Sequence, residues 1–81
     1  MKYIVTSIMP TTTEPVVNTV ELTDLEIAIR TAVEVAKVYG ITTDDKLVRK
    51  SLKDFGKYRH QYHVYRERGW REVRLEVDEG V

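Results

Sequence analysis

The chain contains no cysteine, and it has only two prolines and four glycines among its 81 residues. The absence of cysteine excludes disulfides, thiolate nucleophiles and cysteine-ligated metals. No apolar run approaches the roughly 18 residues of a membrane-spanning helix, and the first ten residues lack the apolar segment of a signal peptide. We therefore expect a cytoplasmic protein that does not enter a membrane.

Motifs of catalysis are also missing. The four glycines are isolated from one another, whereas a phosphate-binding loop needs several of them close together. Ser7 and Ser51 lie inside predicted regular elements, without an arranged base to activate them. The carboxylates are scattered over helix caps and exposed positions, with no sign of a desolvated acid–base pair. We expect a protein that is not an enzyme and that holds no cofactor.

The two histidines, His60 and His63, do not predict a metal site. They are three residues apart in a predicted strand, so their side chains should project from opposite faces. A zinc site would need further ligands, and the chain has no cysteine and no third histidine. We expect no bound metal. His60 should close one end of the core, and His63 should be a solvated partner of Arg74.

The composition predicts one small folded domain over residues 1–81, with residues 79–81 as a frayed tail. Hydrophobic residues make up 42% of the chain, which is too many for a disordered protein. A chain of this length builds a single thin core, and small cores are often supplemented by oligomerisation. A homodimer therefore belongs among the hypotheses.

Two strands are predicted in the first part of the chain. Residues 2–9 alternate in the manner of a strand and carry apolar side chains on both faces, which indicates a central strand. Residues 10–15 begin and end with proline and predict a loop. Residues 16–22 should form a second strand, antiparallel to the first.

A first helix is predicted to follow. Thr23 and Glu26 have the spacing of a capping box, which predicts that the helix begins there. It should end at Gly40, where glycine tolerates a left-handed backbone. Its apolar residues form one stripe at helical spacing, and Ile27 and Val38 lie nearly opposite that stripe. These two residues are either stray exposed aliphatics or contacts with the second helix or another subunit.

A second helix is predicted from about Asp44 to Gly56, with acidic residues in its first turn. Val48, Leu52 and Phe55 are spaced to face the core. The basic residues should lie together on the opposite side of this helix. They are Lys46, Arg49, Lys50, Lys53 and Lys57.

The last segment predicts a β-hairpin that turns at Arg68 and Gly69. Its polar face would carry pairs such as Tyr65 with Glu72. Its apolar face would pair Val64 with Val73, Tyr62 with Leu75 and His60 with Val77. The element order is then ββααββ. This order predicts a small α+β two-layer domain, in which two hairpins form an antiparallel sheet and two helices pack on one face.

The zero net charge hides an asymmetry along the chain. Residues 46–74 contain ten basic residues against three acidic ones, a local balance of +7. Residues 1–45 carry a charge of −4, and the last seven residues carry −3. A basic helix face followed by arginines and aromatic rings at a hairpin tip is typical of a surface that recognises anions.

The predicted binding residues fall into two groups. Those for electrostatic attraction are Lys46, Arg49, Lys50, Lys53 and Lys57. Those for specific contacts are Tyr65, Arg66, Arg68, Trp70 and Arg71, with Tyr65 as a stacking group. The alternative is an ordinary solvated helix face, since a surface helix commonly carries lysines opposite its apolar stripe.

Three kinds of partner fit these residues. The first is nucleic acid or a nucleotide, whose phosphates the lysines would neutralise. The second is an acidic protein surface. In size and cysteine-free composition the chain is similar to small phage-encoded proteins, which suggests an inhibitor that docks on and blocks a host or defence protein. The third is a second copy of the chain, bound through Ile27 and Val38 and the strand face of Tyr3, Val5 and Met9.

Overall fold

The structure is a computed structural model that describes residues 1–11, 13–63 and 70–79, except for the side chains of residues 62 and 63. Its elements, in chain order, are β1 (Lys2–Met9), β2 (Val16–Leu22), α1 (Leu25–Val38), α2 (Asp45–Phe55), β3 (Lys57–His63) and β4 (Trp70–Asp78). The strands lie in the order β2-β1-β4-β3, and each neighbouring pair is antiparallel. The predicted α+β fold of order ββααββ is therefore confirmed.

One face of the sheet forms the core together with the helices. In a row across the sheet, Val5 of β1 pairs with Leu75 of β4, which pairs with Tyr58 of β3. All three side chains are buried. Helix α1 packs mainly on β1 and β4, and α2 packs on β3 and on α1. Both helices therefore cover the same face, as predicted, and β1 is a central strand.

Helix α1 approaches the sheet closely because its buried stripe is built from small residues. Ala28, Ala32 and Ala36 are fully buried, and the larger Ile29 and Val33 fill the space beside them. Alanine also has the highest helix propensity of any residue. The same three positions thus favour the helix and let it lie against the strands.

Asp24 caps the start of α1. Its carboxylate accepts a hydrogen bond of 2.9 Å from the amide of Ile27. The predicted capping box, with Thr23 as the cap and Glu26 bonded back to it, is wrong by one residue. An ionised carboxylate is favoured at the positive end of the helix dipole, and Glu26 is bound elsewhere. The helix stops before Gly40, whose φ of 75° confirms the predicted left-handed end.

Helix α2 has the two ends that its sequence predicts. The carboxylate of Asp44 accepts a 2.9 Å hydrogen bond from the amide of Leu47 at the start. Gly56 closes the helix with φ 74°, and its amide donates to the carbonyl of Leu52 at 2.9 Å. This left-handed residue turns the chain directly into β3.

The core side of α2 is shorter than predicted. Val48 is fully buried and Leu52 packs against the core, but Phe55 is 76% exposed, so its predicted place in the core is wrong. Within the described part of the chain, α2 contacts only β3 and α1. Phe55 lies in the last turn, where the chain leaves the helix, and no other element covers it there.

The register of the β3–β4 hairpin differs from the prediction by four residues. Tyr58 lies opposite Leu75 and His60 lies opposite Val73, so the predicted partners Tyr62 for Leu75 and Val77 for His60 are wrong. The physical reason is that β3 begins immediately after the second helix. Tyr58, the second residue of β3, therefore takes the buried position opposite Leu75 that was predicted for Tyr62.

The corrected register has two further consequences. Gln61, instead of Tyr65, lies opposite Glu72. Because four is an even number, the shift leaves each side chain on the face that was predicted for it. The predicted turn at Arg68 and Gly69, together with Val64, lies outside the described residues.

Candidate functional site

The outer surface of α2 carries a row of three lysines, Lys46, Lys50 and Lys53, which we call the lysine row. A helix turns by about 100° per residue, which places these three on the side opposite the buried Val48. All three are exposed. None of them makes an ion pair or a hydrogen bond within the described part of the chain. The row is therefore a strip of positive charge open to solvent.

Arg49, the fourth predicted basic residue of α2, is bound to α1. Both terminal nitrogens of its guanidinium donate to the carboxylate of Glu26, one of them at 2.8 Å. The hydrogen bond from Arg49 lowers the pKa of Glu26 and raises that of Arg49 itself. This bidentate pair joins the two helices across their outer surface, so Arg49 is already occupied by an acid of the first half of the chain.

Arg30 belongs to the same surface, and the sequence analysis did not select it. It lies one turn after Glu26 on α1, is exposed, and contributes by its charge to the lowered pKa of that carboxyl. The spacing of four residues between Glu26 and Arg30 was the signal that could have found it. With Arg30, the outer surface of the two helices carries five cations, and the charges of Glu26 and Asp45 both act on Arg49.

Strand alternation places two predicted binding residues on the other side of the molecule. Tyr58 faces the helices, so its neighbour Lys57 faces away from them. Trp70 is likewise on the open face, because β4 turns Val73 and Leu75 toward the helices. The prediction that Lys57 lies on the same surface as the lysine row is therefore wrong.

The second predicted group is only partly described. Arg71 is half-buried and lies on the helix side of β4, opposite to Trp70. Tyr65, Arg66 and Arg68 lie outside the described residues. The two described members, Trp70 and Arg71, thus lie on opposite faces of the sheet and do not form one surface with each other.

The open face of the sheet holds a charge cluster that sequence analysis missed. Glu72 is only 2% exposed, and its carboxylate accepts a hydrogen bond of 2.6 Å from Nε of Arg59. Nε of Arg74 lies 3.0 Å from the other carboxylate oxygen, although the two atoms are not aligned for a hydrogen bond. Arg74 also lies 3.8 Å from Glu76. Two arginines of the basic segment are thus neutralised by their own sheet.

Two large apolar residues of α2 are exposed to solvent. Leu47 is half-exposed near the start of α2, and Phe55 is exposed at its end. At about 100° per residue, Leu47 lies roughly 60° from Lys50, whereas Phe55 lies roughly 20° from Val48, on the core side of α2. Leu47 is therefore the large apolar side chain next to the unpaired lysines, a combination that protein interfaces use.

An open groove of about 540 Å³ lies where the two helices meet the end of the sheet. Its lining is mainly apolar and includes the charged residues Arg49, Lys53 and Glu79. The apolar residues that line it are Met1, Tyr3, Leu25, Ile29, Leu52 and Val77. The groove lies beside one end of the lysine row. It is open to solvent and differs from the enclosed sites in which reactions are shielded from water.

Among residues 1–11, 13–63 and 70–79, no three histidine or acidic side chains come together as metal ligands. In the same part of the chain, neither helix has the length and the apolar character needed to span a bilayer. Comparisons with protein-family models, with curated proteins and with solved structures gave no match to this chain.

Proposed function

We propose that this chain is a non-enzymatic binding module, and that the lysine row of α2 attracts an anionic partner, nucleic acid or a nucleotide. The observation that carries the proposal is the exposure of Lys46, Lys50 and Lys53 on one helix face, without an acidic partner in the described part of the chain. Ordinary surface helices place acids four residues away from their lysines. In the row only Lys50 has such an acid, Asp54, and no ion pair joins the two; Lys46 and Lys53 have none at that spacing.

The spacing of the row favours an extended polyanion over a single phosphate group. Lys46 and Lys53 are separated by about 10 Å along the helix axis, at roughly 1.5 Å per residue. That distance corresponds to a rise of about three nucleotides of one strand, at roughly 3.4 Å each along the axis of a nucleic acid duplex. The three lysines are thus spread along the helix. We therefore favour nucleic acid over a free nucleotide.

The test measures binding of short fluorescent DNA and RNA of mixed sequence by anisotropy, as a function of salt. Three phosphate contacts should weaken binding roughly 20- to 40-fold between about 50 and 200 mM salt. Replacing Lys46, Lys50 and Lys53 by glutamine should weaken binding at low salt and flatten the salt dependence. Lys2→Gln is the matched control, since Lys2 pairs with Glu21 on the open face of the sheet.

Two results would overturn the proposal. One is an affinity that barely changes over this range of salt. The other is a triple glutamine variant that binds as the unchanged chain does. Circular dichroism of the variant excludes loss of fold as the cause, and exposed lysines contribute little to stability.

A second candidate function is that of an interaction protein or inhibitor that docks on an acidic protein surface. The observation that favours it is the exposure of Leu47 beside the lysine row and of Phe55 at the end of the same helix. Such residues act as binding hot spots when a partner covers them. Replacing both by serine should leave affinity for nucleic acid unchanged under the first proposal. Under the second, it should abolish capture of a protein partner from nuclease-treated lysate.

A further inference from the structure

Strand β2 forms one edge of the sheet, and its outer backbone has no neighbouring strand in the part of the chain that the structure describes. It is seven residues long, about 23 Å at roughly 3.3 Å per residue. Every residue of it is exposed except the half-buried Leu22. Such a strand presents a row of unsatisfied amide and carbonyl groups that another strand can bind.

Both faces of β2 carry exposed valine. Val16 and Val20 point to the helix side and are 47% and 45% exposed, and Val17 on the open face is 57% exposed. They are exposed because α1 lies mainly over β1 and β4, so that β2 extends beyond the helix layer. Valine side chains on both faces of a strand are stabilised by packing against the side chains of a neighbouring strand. Pairing with a further strand would therefore stabilise β2 relative to exposure to solvent.

β2 also lacks the features by which natural proteins protect the edges of their sheets. Such edges usually carry lysine, proline, a bulge or an inward-pointing charge. Within β2 there is no proline, glycine or basic residue. Its only charged residue, Glu21, lies 3.6 Å from Lys2 of the neighbouring strand. The edge is therefore close to electrically neutral and open to pairing.

The strand is complementary to itself. Two antiparallel copies of a strand are related by a two-fold axis perpendicular to the sheet. Facing residues lie on the same face of the sheet when this axis passes midway between the two copies of one residue. With the axis at Asn18, Val16 of one copy faces Val20 of the other, twice, and Val17 faces Thr19. No charged residue faces a like charge in this register.

We infer that the edge of β2 is bound by β2 of a second copy of this chain, which joins the two four-stranded sheets into one of eight strands. A second copy is the partner because the strand matches itself in pattern and is nearly neutral, so that no partner of opposite charge is required. The helices of both copies then lie on the same face of the joined sheet.

This interface differs from one built on Ile27 and Val38. Those residues are separated by eleven positions, about three turns, so they lie on one line of α1. That line faces outward, nearly opposite the buried alanines, and both residues are exposed. Pairing through β2 does not require them. A variant at these two positions is therefore the matched control.

The test measures molecular mass by analytical ultracentrifugation of the full chain over a wide range of concentration. We expect a monomer–dimer equilibrium. Val17→Lys combined with Val20→Lys should weaken the dimer by more than about tenfold, because the two lysines at position 17 become diagonal neighbours of like charge and each lysine at position 20 faces Val16 of the other copy. Ile27→Ser combined with Val38→Ser should leave it unchanged.

Hydrogen exchange supplies a second readout that does not depend on a variant. Amides of β2 that point outward should be protected at high concentration and exchange freely on dilution, while those at the outer edge of β3 should not change. A chain that is monomeric throughout would overturn the inference. So would a dimer that persists in the lysine variant, or one that is lost in the α1 variant.

Discussion

Glu72 is the residue at which burial and charge conflict most directly. It is 2% exposed although it lies on the sheet face that the helices leave open. A carboxylate in that position is tolerated only with partners, because an unpaired buried charge costs several kilocalories per mole. Arg59 and Arg74 supply them. The three residues thus form a structural cluster on β3 and β4.

Glu72→Gln should destabilise the fold by about 2 kcal/mol, since it removes the anion that both arginines share. The effect is smaller than for a fully buried pair because both arginine side chains retain contact with water. Urea denaturation measures the difference. The control is Glu76→Gln, at a half-exposed position near Arg74, for which we expect less than about 1 kcal/mol. Equal effects of the two substitutions would contradict the assigned role.

At the scale of the element, α2 depends on the left-handed residue at its end. Gly56 has φ 74°, and a Cβ built there would meet nothing within 4 Å. The position therefore isolates backbone strain from steric clash. For most residues with a side chain, the left-handed conformation costs roughly 1–2 kcal/mol.

Gly56→Ala should accordingly lower the free energy of unfolding by about 1 kcal/mol, through the backbone alone. Gly56→Asn is the matched variant, because asparagine adopts this conformation more readily, and it should lose clearly less. Thermal and urea unfolding of the two variants provide the comparison. If asparagine proves as costly as alanine, the conformation of the backbone is not the cause.

The elements themselves could be predicted because their signals are local. Asp44 and Gly56 mark the ends of α2, and the spacing of its apolar residues indicates its buried side. The hairpin register was predicted wrongly because it was derived from a turn at Arg68 and Gly69. The observed register instead follows from β3 beginning at Lys57, directly after α2. Placing Tyr58 opposite Leu75 requires knowing how closely β3 follows α2. The predicted burial of Phe55 was wrong for a similar reason. The spacing of apolar residues shows which side of α2 faces the core, but not how far along the helix the sheet and α1 extend.

At the scale of the whole molecule, the fold redistributes the charge that the sequence displays. Arg49 binds Glu26, 23 residues earlier in the chain, and Arg59 binds Glu72, 13 residues later. Contacts over such distances have no signature in local composition. Of the five basic residues predicted to share one helix face, Lys46, Lys50 and Lys53 do so, whereas Arg49 is paired with Glu26 and Lys57 lies on β3.

The order of the strands makes the last one indispensable. β4 is central, pairs with both β1 and β3, and brings Val73 and Leu75 into the core. A chain that ends at residue 69 should show no cooperative thermal transition by circular dichroism, since it loses a central strand and two fully buried residues. A chain that ends at residue 78 retains β4 and should unfold cooperatively. A sharp transition in the shorter chain would contradict this account.

The adjacency of β1 and β4 also bears on how the protein is made. Lys2 lies opposite Asp78, so β1 can complete its pairing only after β4, the last strand of the sheet in chain order, has been synthesised. Ribosomes add about 5–20 residues per second, which leaves β1 without that neighbour for several seconds. During this interval its apolar residues are accessible to chaperones and proteases. β1 can pair with β2 early, but the sheet can be completed only after β4 has been synthesised.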